Sequence, residues 1–193
     1  MQWLRDGLGI IGDSSEIEGL ARSVESSDGV HFVPALSGLG APYWDADARG
    51  LISGLTRGTT RAHLARATLE AIAFEVEDLL EAMDRDLRAS GQSALARLRV
   101  DGGAARNDLL LQLQADFSQV EVDRPLDVES TGRGAALLAA LGVGLHRNVT
   151  DVAAALALER TFRPEISGAD RAVRKSGYRA AVARSRSDLG DGH

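Results

Sequence analysis

The chain has no cysteine and only one lysine, Lys175. Without thiols there is neither a disulfide framework nor a thiolate-held metal. With lysine so scarce, an anionic ligand must be held by backbone N–H groups or by arginine. The four histidines, His31, His63, His146 and His193, are scattered, and no two have the spacing of a zinc pair. His31 sits in a short β-rich run and reads as an exposed strand residue. No apolar run approaches the roughly 20 residues of a membrane span. The opening Met1-Gln2-Trp3-Leu4-Arg5-Asp6-Gly7 lacks the basic flank and apolar core of a signal peptide. A cytoplasmic location with no membrane partner is therefore expected. A net charge of −6 argues against general nucleic-acid binding. What is present, 44% hydrophobic and 26% charged residues in a chain of 193, suits one globular domain or a little more.

The stretch that organises the rest runs from Leu98 to Phe117. A short apolar run ends in Gly102-Gly103, Asn107-Asp108 follows, and leucines then recur at helical spacing. This reads as strand, tight turn, helix. Paired glycines permit positive φ and put no Cβ in the way of a ligand. The helix start carries unpaired N–H groups and the positive dipole end, an expected anion site capped by Asn107 or Asp108. On the glycines alone, a plain strand-to-helix turn explains the motif as well.

Other elements follow from periodicity. Gln2 to Ile11 and Glu16 to Val24 read as helices, and Val30 to Val33 as a strand stopped by Pro34. Residues 35–45 form an ordered loop whose Tyr43 and Trp44 are expected to pack on core, partner or ligand. A short strand or turn at 50–55 precedes the longest helix, capped by Thr59 or Thr60 and running to about Leu87. Leu64, Thr68, Ala71, Ile72, Val76, Leu79, Leu80, Met83 and Leu87 make its apolar stripe. Glu70, Glu75, Glu77, Glu81, Asp84 and Arg85 read as a solvated face. Val120 to Asp123 is a strand. The small-residue run from Thr131 to Leu141 is a helix expected in the interior or at a domain interface. Thr150 caps a helix through Leu158, and a surface helix runs from Asp170 to about Ser185, followed by a frayed tail to His193.

Four of these stretches together resemble a known family. Ser37-Gly38-Leu39-Gly40-Ala41-Pro42-Tyr43-Trp44-Asp45, with Ala48-Arg49-Gly50 behind it, resembles the glycerol kinases. Gly50-Leu51-Ile52-Ser53-Gly54-Leu55, with His63-Leu64 and Ala67-Thr68-Leu69-Glu70, resembles the second signature of the wider FGGY carbohydrate-kinase family. Val100-Asp101-Gly102-Gly103-Ala104 resembles that family's adenosine motif, and Gly134-Ala135-Ala136 its late interdomain helix. Order and spacing agree from Gln2 to about Pro164.

The resemblance implies an α/β fold, the actin-like ATPase fold of two ribonuclease-H-like domains with ATP in the cleft between them. This chain would be the C-terminal domain, incomplete, helix-rich and with few strands. Residues 1–165 would form the nucleotide-binding domain and 166–193 a terminal helix and tail. The three-stranded meander that opens such a domain is missing from the sequence. The strands near Phe32, Val100 and Val122 would then make a poor sheet, with edges open to another chain. By resemblance Gln2, Gly103 and Asn107 contact the nucleotide. The family's general base lies upstream of Met1, so no catalytic residue is expected here, and Asp101 has a positioning or structural role. ATP with Mg2+ is the implied cofactor, and glycerol the acceptor, bound through the N-terminal half. Arg133 stands where leucine is usual; it reaches a phosphate or the missing domain, or lies on the surface. The implied function is the ATP-binding part of a glycerol kinase, inactive alone. The alternatives are an inert fragment or interaction module, as a homo-oligomer or paired with a separate N-terminal half, and a xylulose or gluconate kinase.

Overall fold

The computed structural model describes residues 1–154 and 157–187. In chain order its elements are α1 (Gln2–Asp6), α2 (Glu16–Arg22), β1 (His31–Val33), β2 (Leu51–Ser53), α3 (Arg61–Ala89), β3 (Arg97–Arg99), α4 (Asp108–Ser118), β4 (Glu121–Pro125), α5 (Ser130–Gly142), α6 (Val149–Ala154), β5 (Leu158–Phe162) and α7 (Gly168–Ser185). Among the described residues no helix is long and apolar enough to cross a membrane.

The strands form two separate sheets. β1 and β2 pair antiparallel, with Phe32 opposite Ile52. The other sheet has the order β3-β4-β5. β3 and β4 are parallel, as a strand–helix–strand crossover through α4 requires, and Leu98 lies opposite Val122. β5 runs antiparallel to β4 and sets Phe162 opposite Val122.

α4 joins the two halves because it is apolar on two sides. Leu109, Leu110, Leu113 and Phe117 enter a core shared with α2, α3, β1 and α7. Leu111 and Ala115 pack with Val122 and Phe162 against the three-stranded sheet. At the centre of the first core Phe74 of α3 stacks on Phe117, ring centroids 4.0 Å apart, and on Tyr178 of α7 at 4.8 Å.

Several sequence expectations change. The first helix stops at Asp6, not Ile11, because Gly7 ends it and Gly9 takes φ +61°. Leu4 and Ile11 still reach the core. The helix expected through Leu158 ends by Ala154, and Leu158 opens β5; residues 155–156 lie outside the described residues. The expected frayed tail to His193 begins within the described residues, but 188–193 lie outside them. β5 alternates weakly and only Phe162 is buried, so its pattern is that of a bare edge strand.

α3 starts as expected: the Thr60 N–H donates to His63 Nδ1 at 3.1 Å. Its acidic face is not solvated. Glu70, Glu77 and Asp78 are buried, while Leu79 and Met83 of the expected apolar stripe are exposed. The reason is α7, which is more than a surface helix. It inserts Tyr178, Ala181 and Val182 into the core and lays Arg171, Lys175 and Arg179 across the α3 carboxylates. His31 is half-buried beneath the same helix. A side chain at Gly177 would meet the imidazole Nε2 at 2.6 Å. Burial lowers the His31 pKa; Glu70 opposes that shift and Arg184 adds to it.

In the 35–45 loop, Tyr43 packs down and its hydroxyl donates to Asp78 at 2.5 Å. Trp44 does not pack; it is 80% exposed. Nor is α5 interior. Among the described residues its main packing partner is α6, and Leu138 lies bare.

Candidate functional site

The site grows from the end of β3. The Val100 N–H donates to the Asp123 carbonyl at 3.1 Å, carrying the pairing with β4 one residue beyond the strand. Gly102 then takes φ +80°, a left-handed conformation that favours glycine, and its N–H donates to Val128 at 2.7 Å. Residues Gly103–Arg106 make one 3-10 turn, closed by Ala105 N–H to the Gly102 carbonyl at 3.0 Å and Asn107 N–H to the Ala104 carbonyl at 3.1 Å. The backbone straightens at Asn107, and α4 begins.

Asn107 caps that helix: its Oδ1 accepts from the Leu110 N–H at 2.8 Å. Its amide hydrogens have no partner among the described residues. The next two helix donors are also taken. Glu18 of α2 accepts from Asp108 N–H and Leu109 N–H, each at 3.2 Å, and is ion-paired to Arg22 at 2.8 Å. The expectation of an open anion site at this helix start is thereby overturned. A carboxylate from 90 residues upstream already occupies it.

A cavity of about 430 Å3 opens beside the turn. Gly103, Ala104, Arg106 and Asn107 line one wall, and Met1, Gln2, Ser14, Ser15 and Glu18 the other. Gln2, Gly103 and Asn107, picked out in the sequence, thus face one space. A Cβ built on Gly103 meets no atom within 4 Å, so the glycine presents bare backbone to the cavity. Ser14, Ser15, Glu18 and Arg106 carry no motif that marks them; only the folding of α2 against α4 brings them in. Asp101 and Arg133 lie elsewhere. Both line a second cavity of about 350 Å3 between the three-stranded sheet and α5, with Asp127, Leu137 and Leu138.

The chemistry of the first cavity follows from its donors. Glu18 is the acid among its lining residues and is spent on helix N–H groups and on Arg22, while Arg106 is the one cationic side chain of the lining. The helix start itself therefore has no N–H donors left for a phosphate. The amide of Asn107 and the carboxamide of Gln2 suit a neutral, hydrogen-bonding ligand such as a base or sugar. The same lining does not fit a magnesium ion, which needs several free oxygen ligands. A cluster of Glu77, Asp78 and Glu81 lies on α3, and Lys175, Arg171 and Arg179 supply its countercharge.

A family model described as the FGGY family of carbohydrate kinases, C-terminal domain, matches residues 1–143. The chain is 53% identical over 186 residues to a glycerol kinase of Rhodopirellula baltica, covering 96% of this chain and 34% of that protein. It is 50% identical over 189 residues to a glycerol kinase of Acinetobacter baylyi, covering 98% and 37%. The chain thus spans about a third of the length of the curated relatives it matches. Its structure is similar to the crystal structure of Plasmodium falciparum glycerol kinase with ADP, with a TM-score of 0.86, 34% identity, 95% of this chain covered and 36% of that one. It also resembles a ligand-bound xylulose kinase from Lactobacillus acidophilus, with a TM-score of 0.74, 99% of this chain covered and 38% of that one; at 22% identity that likeness concerns the fold alone.

Proposed function

We propose that this chain, which belongs to the FGGY family of carbohydrate kinases, supplies the adenosine-binding jaw of an ATP-dependent glycerol kinase. Its fold is the family's C-terminal domain of the actin-like ATPase type, helix-rich with few strands. The reaction moves the γ-phosphoryl of ATP to a glycerol hydroxyl, largely by positioning and charge stabilisation. This chain's share is to bind the nucleoside end. Gly103 lets the adenosine approach the backbone, the free amide hydrogens of Asn107 donate to base or ribose, and Gln2 closes the opposite wall. The observation that carries the reading is the pairing of an unobstructed glycine with an acid-blocked helix start. That combination welcomes the neutral end of ATP and turns the phosphates outward, towards the part of the enzyme that holds acceptor and base.

Magnesium would travel with those phosphates, since the cavity lining offers no ligand set for it. The general base and the glycerol site belong to sequence beyond this chain, whether joined to it or supplied by a partner. Alone, the chain should make no glycerol phosphate from ATP and glycerol. As a metabolic kinase using ATP it would work in the cytoplasm. The relatives named glycerol kinase, together with the Ser37–Asp45 loop, favour glycerol over the pentulose and gluconate acceptors.

The test is calorimetric titration of the chain with ADP, and of Gly103→Val. Because a Cβ at 103 meets nothing within 4 Å, the variant should fold with an unchanged melting temperature. Its branched side chain fills the approach, and ADP affinity should drop at least about tenfold, some 1.4 kcal/mol. Equal ADP binding by both proteins would remove the turn from the site.

A further inference from the structure

We infer that Arg124, on β4, is a positioning residue of the nucleotide site, holding the double-glycine turn in the shape that leaves Gly103 open. The inference rests on the adenosine-binding reading for its purpose, and on geometry for its content. The Arg124 side chain is only 7% exposed. Its Nη1 donates to the Ala105 carbonyl at 3.1 Å and to Asp108 Oδ1 at 2.6 Å. Its Nη2 donates to Glu159 at 3.2 Å, and its guanidinium carbon sits 5.3 Å from the centre of the Phe162 ring. One buried cation therefore spans the middle of the turn and the first residue of the helix after it.

The need for such a clamp follows from the turn itself. Two glycines in succession are conformationally loose, and a four-residue 3-10 turn has few bonds of its own. The nucleotide-facing wall must nevertheless be in place before ligand arrives if binding is not to bear the ordering cost. Among the described residues no atom lies within 4 Å of a Cβ at Gly103, so beside the Gly102 N–H bond to Val128 the restraint comes from behind, where the Arg124 side chain reaches the Ala105 carbonyl. Arg160 also holds Asp108, at 2.6 Å, but it is half exposed, and among the described residues its side-chain bond is to the helix, not the turn. Lysine at 124 would keep a positive charge near Asp108. It lacks the planar fork that serves carbonyl and carboxylate together.

Three proteins distinguish this role from plain structural support: the wild-type chain, Arg124→Lys and Arg160→Gln. Each is read by ADP titration well below its melting temperature and by amide hydrogen exchange. The expected result is that Arg124→Lys weakens ADP binding by roughly tenfold and speeds exchange at the Ala105 and Asn107 amides. Arg160→Gln should leave both unchanged. Faster global unfolding with unaltered ADP affinity and unaltered turn exchange would overturn the inference. The wild type alone decides the matter if Arg124→Lys does not fold. The clamp requires the turn amides to be protected before ADP is added; free exchange that ADP then suppresses would refute it. Should the wild type bind no ADP, the adenosine reading fails, while turn exchange in Arg124→Lys still judges the clamp.

Discussion

Glu77 on α3 has a side chain 1% exposed, whereas Leu138 on α5 is 67% exposed. The ordinary preference of each residue type is inverted in both places. Around α3 the inversion is resolved by neighbours. Lys175 reaches both Glu77 and Glu81, Arg171 donates to Glu77 at 2.5 Å, and Arg179 donates to Glu81 at 2.7 Å. Along α5 no neighbour among the described residues resolves it. Val143 and Leu145, just past the helix, are as bare as Leu138, and α6 is the main element packed against it. The difference teaches that burial in this chain is set by which surfaces meet, not by composition. The α3 half contains its own complement. The α5 half presents an apolar surface whose complement is not among the described residues, in a chain about a third the length of its relatives.

The largest test of that contrast is Phe74→Ala. The ring ties three helices, stacking on Phe117 of α4 and Tyr178 of α7. Its removal should cost about 3–5 kcal/mol, read from urea unfolding. A loss below about 1 kcal/mol would mean that this core is loose and would erase the difference between the halves.

A smaller effect comes from the one acid on this part of α3 whose burial is unmatched. Among the described residues Glu75 has no cation at ion-pair distance. Burial, helped by the charge of Asp78, pushes its carboxyl from 4.5 up to about 7. The folded chain therefore binds a proton there that the unfolded chain releases at lower pH. That contribution to stability is present at and below about 4.5 and is lost as pH rises towards and through about 7. Glu75→Gln removes the titration. The variant and the wild type should melt together at low pH, and at pH 8 the variant should be the more stable by roughly 1–3 kcal/mol. Parallel melting curves across that range would show that Glu75 is not held as described.

How far these features are readable in the sequence depends on range. The strand–turn–helix at 98–117 is legible because its signals, two glycines, an asparagine cap and leucine spacing, act within a few residues of one another. The length of α3 is legible for the same reason. The face that α3 buries is legible only in part. Thr68 and Ala71 of the expected stripe are buried and Leu64 and Ile72 pack on the core, but Leu79 and Met83 are exposed. Leu69, Ala73 and Phe74 enter the core because α4 and α2 pack there, and Glu77 is buried because α7 brings matching cations nearly 100 residues later. Glu18 is invisible for the same cause: nothing near position 18 announces that it will seal a helix start 90 residues on. Gln2, Gly103 and Asn107 came from family resemblance, and the residues that share their cavity came only from the fold.

The smallest expected effect lies on α5. If its apolar side chains truly face solvent, Leu138→Ser with Leu145→Ser should change folding stability by no more than about 0.5 kcal/mol, little beyond the lower helix propensity of serine. The same pair should reduce self-association, since bare leucines drive contact between copies as concentration rises. Sedimentation velocity over a range of concentrations reads the second effect and urea unfolding the first. The two readouts separate cleanly. A destabilisation approaching that of Phe74→Ala would mean that α5 folds back onto the chain in solution, and the two halves would then differ in nothing but sequence. A neutral change with weakened association would leave α5 as a surface shaped for something else to cover.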